Sequence, residues 1–241
     1  MDTIKQGYQV LIFDLDDTLY KEVDFVVSAY RHIDFLLVAE HGLQPGEAFG
    51  ILTEAYDNGI NPFDSLSAYL TDKGVVIPNA IAWMVNEYRN HIPIISLDDD
   101  TRTVLEHMRE IDVPMYIITD GRSFTQRNKI RALRLYEYIP WENIFISEEM
   151  GCSKTDPAAF REIQRRHPVT TQCDVEFVCV GDNPAKDFIV ANSLGALSVL
   201  LLDDGNNIHP QDIKVDKKHQ ARFFIKKFNE LDDYIDGSTY F

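Results

Sequence analysis

Short runs of β-branched and other apolar residues, each followed by a polar or glycine-containing turn, recur along the chain at residues 9–13 (QVLIF), 114–118 (PMYII), 143–146 (NIFI), 176–180 (EFVCV) and 197–201 (LSVLL). Runs that are apolar almost throughout, rather than alternating with polar residues, are the mark of strands covered on both faces, as in a parallel sheet. Segments with apolar residues at helical spacing lie between them. The pattern therefore predicts an α/β fold, a Rossmann-like parallel sheet with helices on both faces. From the second run onward the starts are 29, 33 and 21 residues apart, each interval suited to one crossover helix. The first interval is 105 residues, so something is inserted there.

The inserted stretch reads helical. Val26, Tyr30, Ile33 and Leu37 recur at helical spacing before Gly42, a helix is expected after Pro45, and Ala80, Trp83, Met84 and Tyr88 form another stripe. This predicts a small all-helical domain at residues 21–94, set into a discontinuous core made of residues 1–20 and 95–241. Residues 98–111, with Val104, Leu105, Met108 and Ile111 on one face, are expected to be the core helix leading into the second strand. The end of the chain reads in two ways. Residues 222–225 form a sixth strand followed by a helix at 229–235, or Phe224, Phe228, Leu231 and Ile235 mark one continuous amphipathic helix.

Composition narrows the function classes. A chain of 241 residues, 45% hydrophobic and 26% charged, fits one main globular domain with a smaller companion. No apolar run reaches the 18–20 residues of a membrane-spanning helix and the first residues carry no export signal, so a soluble, cytoplasmic protein is expected. The net charge of −16, with no polybasic segment, argues against nucleic acid and anionic membranes as partners. Three cysteines without CxxC spacing read as free thiols rather than a disulfide framework or a zinc site. Nothing in the pattern fixes an oligomeric state.

Candidate chemistry lies just after the strands, where ligands bind in open α/β sheets. The first run leads directly into Asp14-Leu15-Asp16-Asp17-Thr18. Carboxylates at i and i+2 on a chain leaving a buried strand can converge on one small volume, one as nucleophile and the other as proton carrier. An acidic chain also produces such pairs by chance, and a control is at hand. Asp98-Asp99-Asp100 follows another apolar stretch, but an amphipathic helix begins there at once, so capping and the helix dipole explain that triplet.

The second run ends in Thr119-Asp120-Gly121, where a hydroxyl and backbone amides ahead of a helix can cradle a phosphoryl group. Lys154 lies in a loop before a helix expected near Pro157. The fourth run ends in Gly181-Asp182, with Asp187 five residues further on. With Asp14 and Asp16, Asp182 and Asp187 make an oxygen-only set suited to a hard cation such as Mg²⁺. Such carboxylates gathered without a cation would repel one another.

Asp14-x-Asp16-x-Thr18, Thr119, Lys154 and Gly181-Asp182-x4-Asp187, in that order and each at its place after a strand, resemble the four motifs of the haloacid dehalogenase-like hydrolase superfamily, its phosphatase branch in particular. The long first interval resembles that family's helical cap, inserted between the first and second motifs. The resemblance implies that Asp14 is the nucleophile, taking up a phosphoryl group as an aspartyl phosphate, and that Asp16 protonates the leaving alcohol and then activates water. It implies that Thr119 and nearby amides, those of Asp120 and Gly121 among them, hold the phosphoryl oxygens and that Lys154 fixes Asp14. Mg²⁺ would be held by Asp14, the Asp16 carbonyl and Asp182, with Asp187 acting through water or Lys154. The cap would close over a small phosphorylated metabolite, a sugar phosphate or nucleoside monophosphate, about hinges near residues 20–22 and 93–97. The second aspartate is absent from the dehalogenase branch, and Asp16 therefore points to phosphate esters. A phosphomutase shares the first motif, and a noncatalytic binding module would keep the fold alone. Asp120 stands where the family more often has Asn, a difference expected to tune phosphate contacts.

Overall fold

The computed structural model describes residues 6–170, 173–211 and 214–235. Each of the five apolar runs forms a strand, with Pro114 and Asn143 left just outside theirs: β1 (Gln6–Phe13), β2 (Met115–Thr119), β3 (Ile144–Ile146), β4 (Cys173–Gly181) and β5 (Leu197–Leu201). A sixth strand, β6 (Phe223–Ile225), completes a sheet of order β3-β2-β1-β4-β5-β6 in which every pairing is parallel. Val10, Leu11, Ile12 and Phe13 are all buried, so β1 is covered on both faces, as its unbroken apolar run requires. One face packs Val10, Ile12, Tyr116, Phe177 and Cys179 beneath Phe160 and Ile163. On the other, the Phe13 ring meets Phe228 at 5.7 Å.

The chain runs outward from β1 through β2 to β3, and in the other direction from β4 through β5 to β6. The order of connection thus reverses between β1 and β4, and a crevice opens beyond the carboxyl ends of these two strands. The register sets Phe13 opposite Val180, so Asp14 and Gly181 leave the sheet side by side. The Asp14 N–H donates to the Val180 carbonyl at 2.9 Å.

The insertion holds α1 (Glu22–His41), α2 (Glu47–Asp57), α3 (Pro62–Asp72) and α4 (Ala80–Asn90). The remaining helices are α5 (Asp99–Glu110), α6 (Ser123–Ala132), the single turn α7 (Ser147–Met150), α8 (Ala158–Arg166) and α9 (Pro184–Ser193). By compactness the chain divides into two units, one of Met1–Glu22, Ser96–Gln126 and Leu133–Phe241, the other of Val23–Ile95 and Arg127–Ala132. The second differs from the helical domain expected at 21–94 by the addition of residues 127–132. Their side chains explain it: Asn128 donates to the His91 carbonyl at 3.3 Å, and the Lys129 ammonium lies 4.4 Å from the centre of the Phe25 ring. Phe25, Tyr30, Phe63 and Tyr88 form one aromatic cluster in this unit.

At the end of the chain the strand alternative holds. β6 is followed by a 3-10 helix at Phe228–Tyr234 rather than by a continuous amphipathic α-helix. Among the described residues no helix is long and apolar enough to cross a membrane.

Candidate active site

Three carboxylates meet where β1 and β4 end. Asp14, Asp182 and Asp187 each present an oxygen within 4.8 Å of the others, and all three are largely withdrawn from solvent. Their positions follow from local sequence. Asp14 is the first residue after β1 and Asp182 the first after β4. Asn183 caps α9 by accepting from the Ala185 N–H, and Pro184 opens the helix, which puts Asp187 in its first turn. Gly181 makes the approach possible, because a β-carbon there would overlap the Asp187 carboxylate and come within 2.8 Å of its Cβ.

Lys154 supplies the counter-charge. Its ammonium stands 2.8 Å from Asp14 Oδ1 and 2.6 Å from Asp187 Oδ1, with the side chain almost wholly covered. The loop that presents it follows α7, which ends at Gly151 in the left-handed region. That loop is pinned by Asp120, whose Oδ1 accepts the Lys154 backbone N–H at 2.8 Å.

The electrostatics are those of an under-neutralised cluster. Burial pushes the Asp14 carboxyl well above the usual range and the charges of Asp187 and Asp182 add to this, against the pull of Lys154. Asp182 is pushed up to about 7 by burial and by the neighbouring charges of Asp187 and Asp17. Burial alone would depress Lys154, but Asp14 and Asp187 reverse the sign and hold it protonated. Three buried carboxylates against one ammonium leave room for further positive charge, and an all-oxygen donor set fits a hard divalent cation.

Asp16 lies apart from this cluster. Its carboxylate is not among the converging oxygens: Oδ1 accepts from the Tyr20 hydroxyl at 2.6 Å, and Oδ2 accepts from the Gln126 side-chain amide at 2.8 Å. The four-carboxylate set read from the sequence is therefore three carboxylates, with the Asp16 side chain in a different setting. Thr119 is buried at the end of β2 and accepts from the same Gln126 amide at 2.8 Å.

Of the two residues expected to offer amides to a phosphoryl group, Gly121 has its N–H engaged, and Asp120 has its side chain engaged. The Gly121 N–H donates to Ser147 Oγ at 2.9 Å, and the Asp120 carboxylate serves the Lys154 loop. Asp120, which stands where Asn is commoner, here accepts the backbone N–H of Lys154.

The sequence reading missed a ring of supporting side chains. Asn207 donates to Asp182 Oδ2 at 3.1 Å, and Gln211 to the Asp182 carbonyl at 2.6 Å. Asp17, left-handed at φ 56°, accepts the N–H groups of Glu22 and Ile208 at 2.9 and 3.0 Å, which ties the first motif to the loop after β5. Asp17 could have been found from its place in the first motif. Gln126, Asn207 and Gln211 lie in polar stretches that carry no periodic or motif signal.

The sheet order, the switch point and the lysine-bridged carboxylates beyond it define a parallel α/β protein with an acidic, all-oxygen site in its crevice. The sequence matches the haloacid dehalogenase-like hydrolases over residues 8–195, and the chain belongs to that family. Among its relatives, the glyceraldehyde 3-phosphate phosphatase of Methanocaldococcus jannaschii is 28% identical over 198 residues, covering 80% of this chain and 84% of the relative. The enzyme of the same description from Methanopyrus kandleri is 25% identical over 235 residues, covering 91% and 97%. The phosphatase branch indicated by Asp16 is thus the branch of these relatives.

Solved structures share the fold. The HAD-hydrolase YfnB from Bacillus subtilis, bound to magnesium, superposes with a TM-score of 0.58 at 20% identity, over 95% of this chain and 99% of its own. The 2-haloacid dehalogenase of Pseudomonas syringae gives 0.56 at 20% identity, over 94% and 97%.

Proposed function

We propose that this chain is a Mg²⁺-dependent phosphomonoesterase that works through an aspartyl phosphate at Asp14, with a small sugar phosphate as substrate and the triose phosphate glyceraldehyde 3-phosphate foremost. The observation that carries this reading is the separation of the two first-motif carboxylates into different settings. Asp14 stands against Lys154 in the buried cluster, while Asp16 is held at both oxygens by Tyr20 and Gln126. That separation supports Asp14 as the attacking group and Asp16 as the proton carrier.

Lys154, fixed in turn by Asp187, orients the Asp14 carboxylate and offsets its charge. The carboxylate attacks phosphorus as the P–O bond to the alcohol breaks, and the proton on Asp16 passes to the departing ester oxygen. Asp16, now ionised, takes a proton from the water whose oxygen attacks the phosphoryl group, releasing inorganic phosphate and restoring Asp14. The Thr119 hydroxyl and the Lys154 ammonium donate to the phosphoryl oxygens. Asp14 and Asp182, with the Asp16 carbonyl, would hold Mg²⁺, and Asp187 acts through Lys154. When bound, Mg²⁺ supplies charge neutralisation for the carboxylates and polarisation of a phosphoryl oxygen. The helical unit, inserted between the first and second motifs, takes the place of the family's cap.

Displacement of halide from carbon has no need of Asp16, because halide leaves as a stable anion without a proton. The relatives named for glyceraldehyde 3-phosphate favour that substrate over nucleoside monophosphates. The test is phosphate release from glyceraldehyde 3-phosphate, other sugar phosphates and nucleoside monophosphates, with Mg²⁺ or with EDTA, beside chloride release from 2-chloropropionate. The expected outcome is Mg²⁺-dependent phosphate release, fastest from the triose phosphate, and no chloride. Chloride release without phosphate release would refute the reading.

A further inference from the structure

Gln126 is the fourth residue of α6 and sits where no motif requires a side chain, yet it is 2% exposed and its amide is directed at the reacting groups. The Nε2 atom lies 2.8 Å from Asp16 Oδ2, 2.8 Å from Thr119 Oγ1 and 3.2 Å from the Asp120 carbonyl oxygen. A backbone carbonyl can only accept, whatever the protonation of Asp16, so the nitrogen rather than the oxygen of the amide must face this group of atoms. Its two protons are therefore directed to Asp16 and Thr119, the carbonyl sharing at longer range.

We propose that Gln126 is a positioning residue for the phosphatase reaction: by donating to both Asp16 and Thr119, its amide fixes the proton carrier relative to the hydroxyl that faces the phosphoryl group. This inference rests on the function proposed above. Two consequences follow from the chemistry of an amide N–H. Oδ2 of Asp16 faces an N–H, which cannot accept, so when Asp16 carries the transferable proton it sits on Oδ1, where the Tyr20 hydroxyl can turn from donor to acceptor. Thr119 Oγ1 accepts a hydrogen bond from Gln126, so its own proton is turned elsewhere. The contact to the Asp120 carbonyl at 3.4 Å is long for a hydroxyl donor, and the proton remains available for a phosphoryl oxygen.

Gly121 supports the arrangement from the outside. Its φ of +146° is a conformation that L side chains rarely adopt, and a β-carbon there would stand 3.0 Å from both Cγ and Cδ of Gln126. The glycine thus leaves the space that the Gln126 side chain fills. Substitution at either position should disturb the same contact, Gln126 by losing the donor and Gly121 by displacing it.

The experiment measures kcat/KM for glyceraldehyde 3-phosphate, whose alkoxide must be protonated as it leaves, and for p-nitrophenyl phosphate, whose phenolate need not be. Both are measured with Mg²⁺ in the natural protein and in Gln126→Met, Gly121→Ala, Thr119→Val and Asp14→Asn. Because kcat/KM reports only steps up to formation of the aspartyl phosphate, later hydrolysis does not obscure the comparison. In Gln126→Met the triose phosphate value is expected to fall about 10- to 100-fold and the aryl value less than about 3-fold. Gly121→Ala, which leaves the amide chemistry intact, should shift the ratio in the same direction. Thr119→Val should lower both values alike.

A merely structural role for Gln126 would lower both values together and leave their ratio within about 2-fold, and that result would overturn the inference. Should Gln126→Met fail to fold, an unchanged ratio in Gly121→Ala would overturn it equally. Asp14→Asn separates the two levels: turnover retained in that variant refutes the phosphatase reading itself. Loss there, with an unaltered ratio in the Gln126 variant, refutes only the role given to Gln126.

Discussion

Gly181 shows how much a single side-chain position carries. Any β-carbon at 181 presses on Asp187, whose Cβ is held by the first turn of α9 and cannot swing away, and Asp187 is one of the two anchors of Lys154. Gly181→Ala is expected to destabilise the protein by about 1–3 kcal/mol through overpacking. It should also lower kcat by about 10- to 100-fold through displacement of Lys154. Thermal melting and steady-state kinetics check both, and a kcat within 2-fold of the natural protein would show that Lys154 does not depend on Asp187.

Most of the residues proposed to carry the chemistry were legible in the sequence. Asp14, Thr119 and Asp182 are carboxyl or hydroxyl groups set where apolar runs end and Asp187 lies at a helix start, placements visible in one dimension, whereas Lys154 sits in a loop and stands out only through the family resemblance. Gln126, Tyr20, Asn207 and Gln211 act by pointing at those residues from elsewhere in the fold, and nothing in their own neighbourhood announces it. Asp16 falls between the two cases. Its place in the motif was plain, whereas its separation from the other carboxylates depends on Tyr20 and Gln126.

At the scale of the element, the runs of apolar residues set the strands almost completely, because a parallel strand buried on both faces has nowhere to put a polar side chain. Boundaries shifted where pairing rather than hydrophobicity extends the strand. β4 begins at Cys173, three residues before its apolar run, because Cys173 and Asp174 pair with Gln6 and Gly7 of β1. α6 was harder to read, since polar residues on it serve two purposes. Gln126 is directed at Asp16, while Asn128 and Lys129 bind His91 and Phe25 in the helical unit.

The acidic triplet at 98–100 behaves as a helix start. Asp98 Oδ1 accepts the Thr101 N–H at 2.6 Å, and Asp99 and Asp100 fill the first turn of α5. Asp98→Ala is expected to cost about 0.5–2 kcal/mol of stability while leaving kcat within about 2-fold of the natural value. A lowered melting temperature with unchanged turnover would bear this out. A large loss of turnover without loss of stability would place Asp98 in the chemistry instead.

At the scale of the whole molecule, an acidic protein handles an anionic substrate by local reversal of charge. The net charge of −16 sets a repulsive background, and the three clustered carboxylates add to it. Against this stand the buried Lys154 and the capacity of the carboxylates for a hard cation. The order of the strands places Asp14 and Asp182 on either side of the one reversal in the sheet, so fold and site share a single cause. The intervals between the runs revealed the insertion, whereas the assignment of residues 127–132 to the helical unit depends on side-chain contacts that spacing does not record.

The central claim is that Asp14 carries the phosphoryl group. The direct measurement is rapid acid quenching of the enzyme during turnover of glyceraldehyde 3-phosphate with Mg²⁺, followed by peptide mass spectrometry. A phosphoryl group on the peptide containing Asp14, absent from the Asp14→Asn variant and from samples without substrate, is the expected result. Sustained phosphate release with no phosphoryl group on that peptide, and with activity retained in Asp14→Asn, would contradict it.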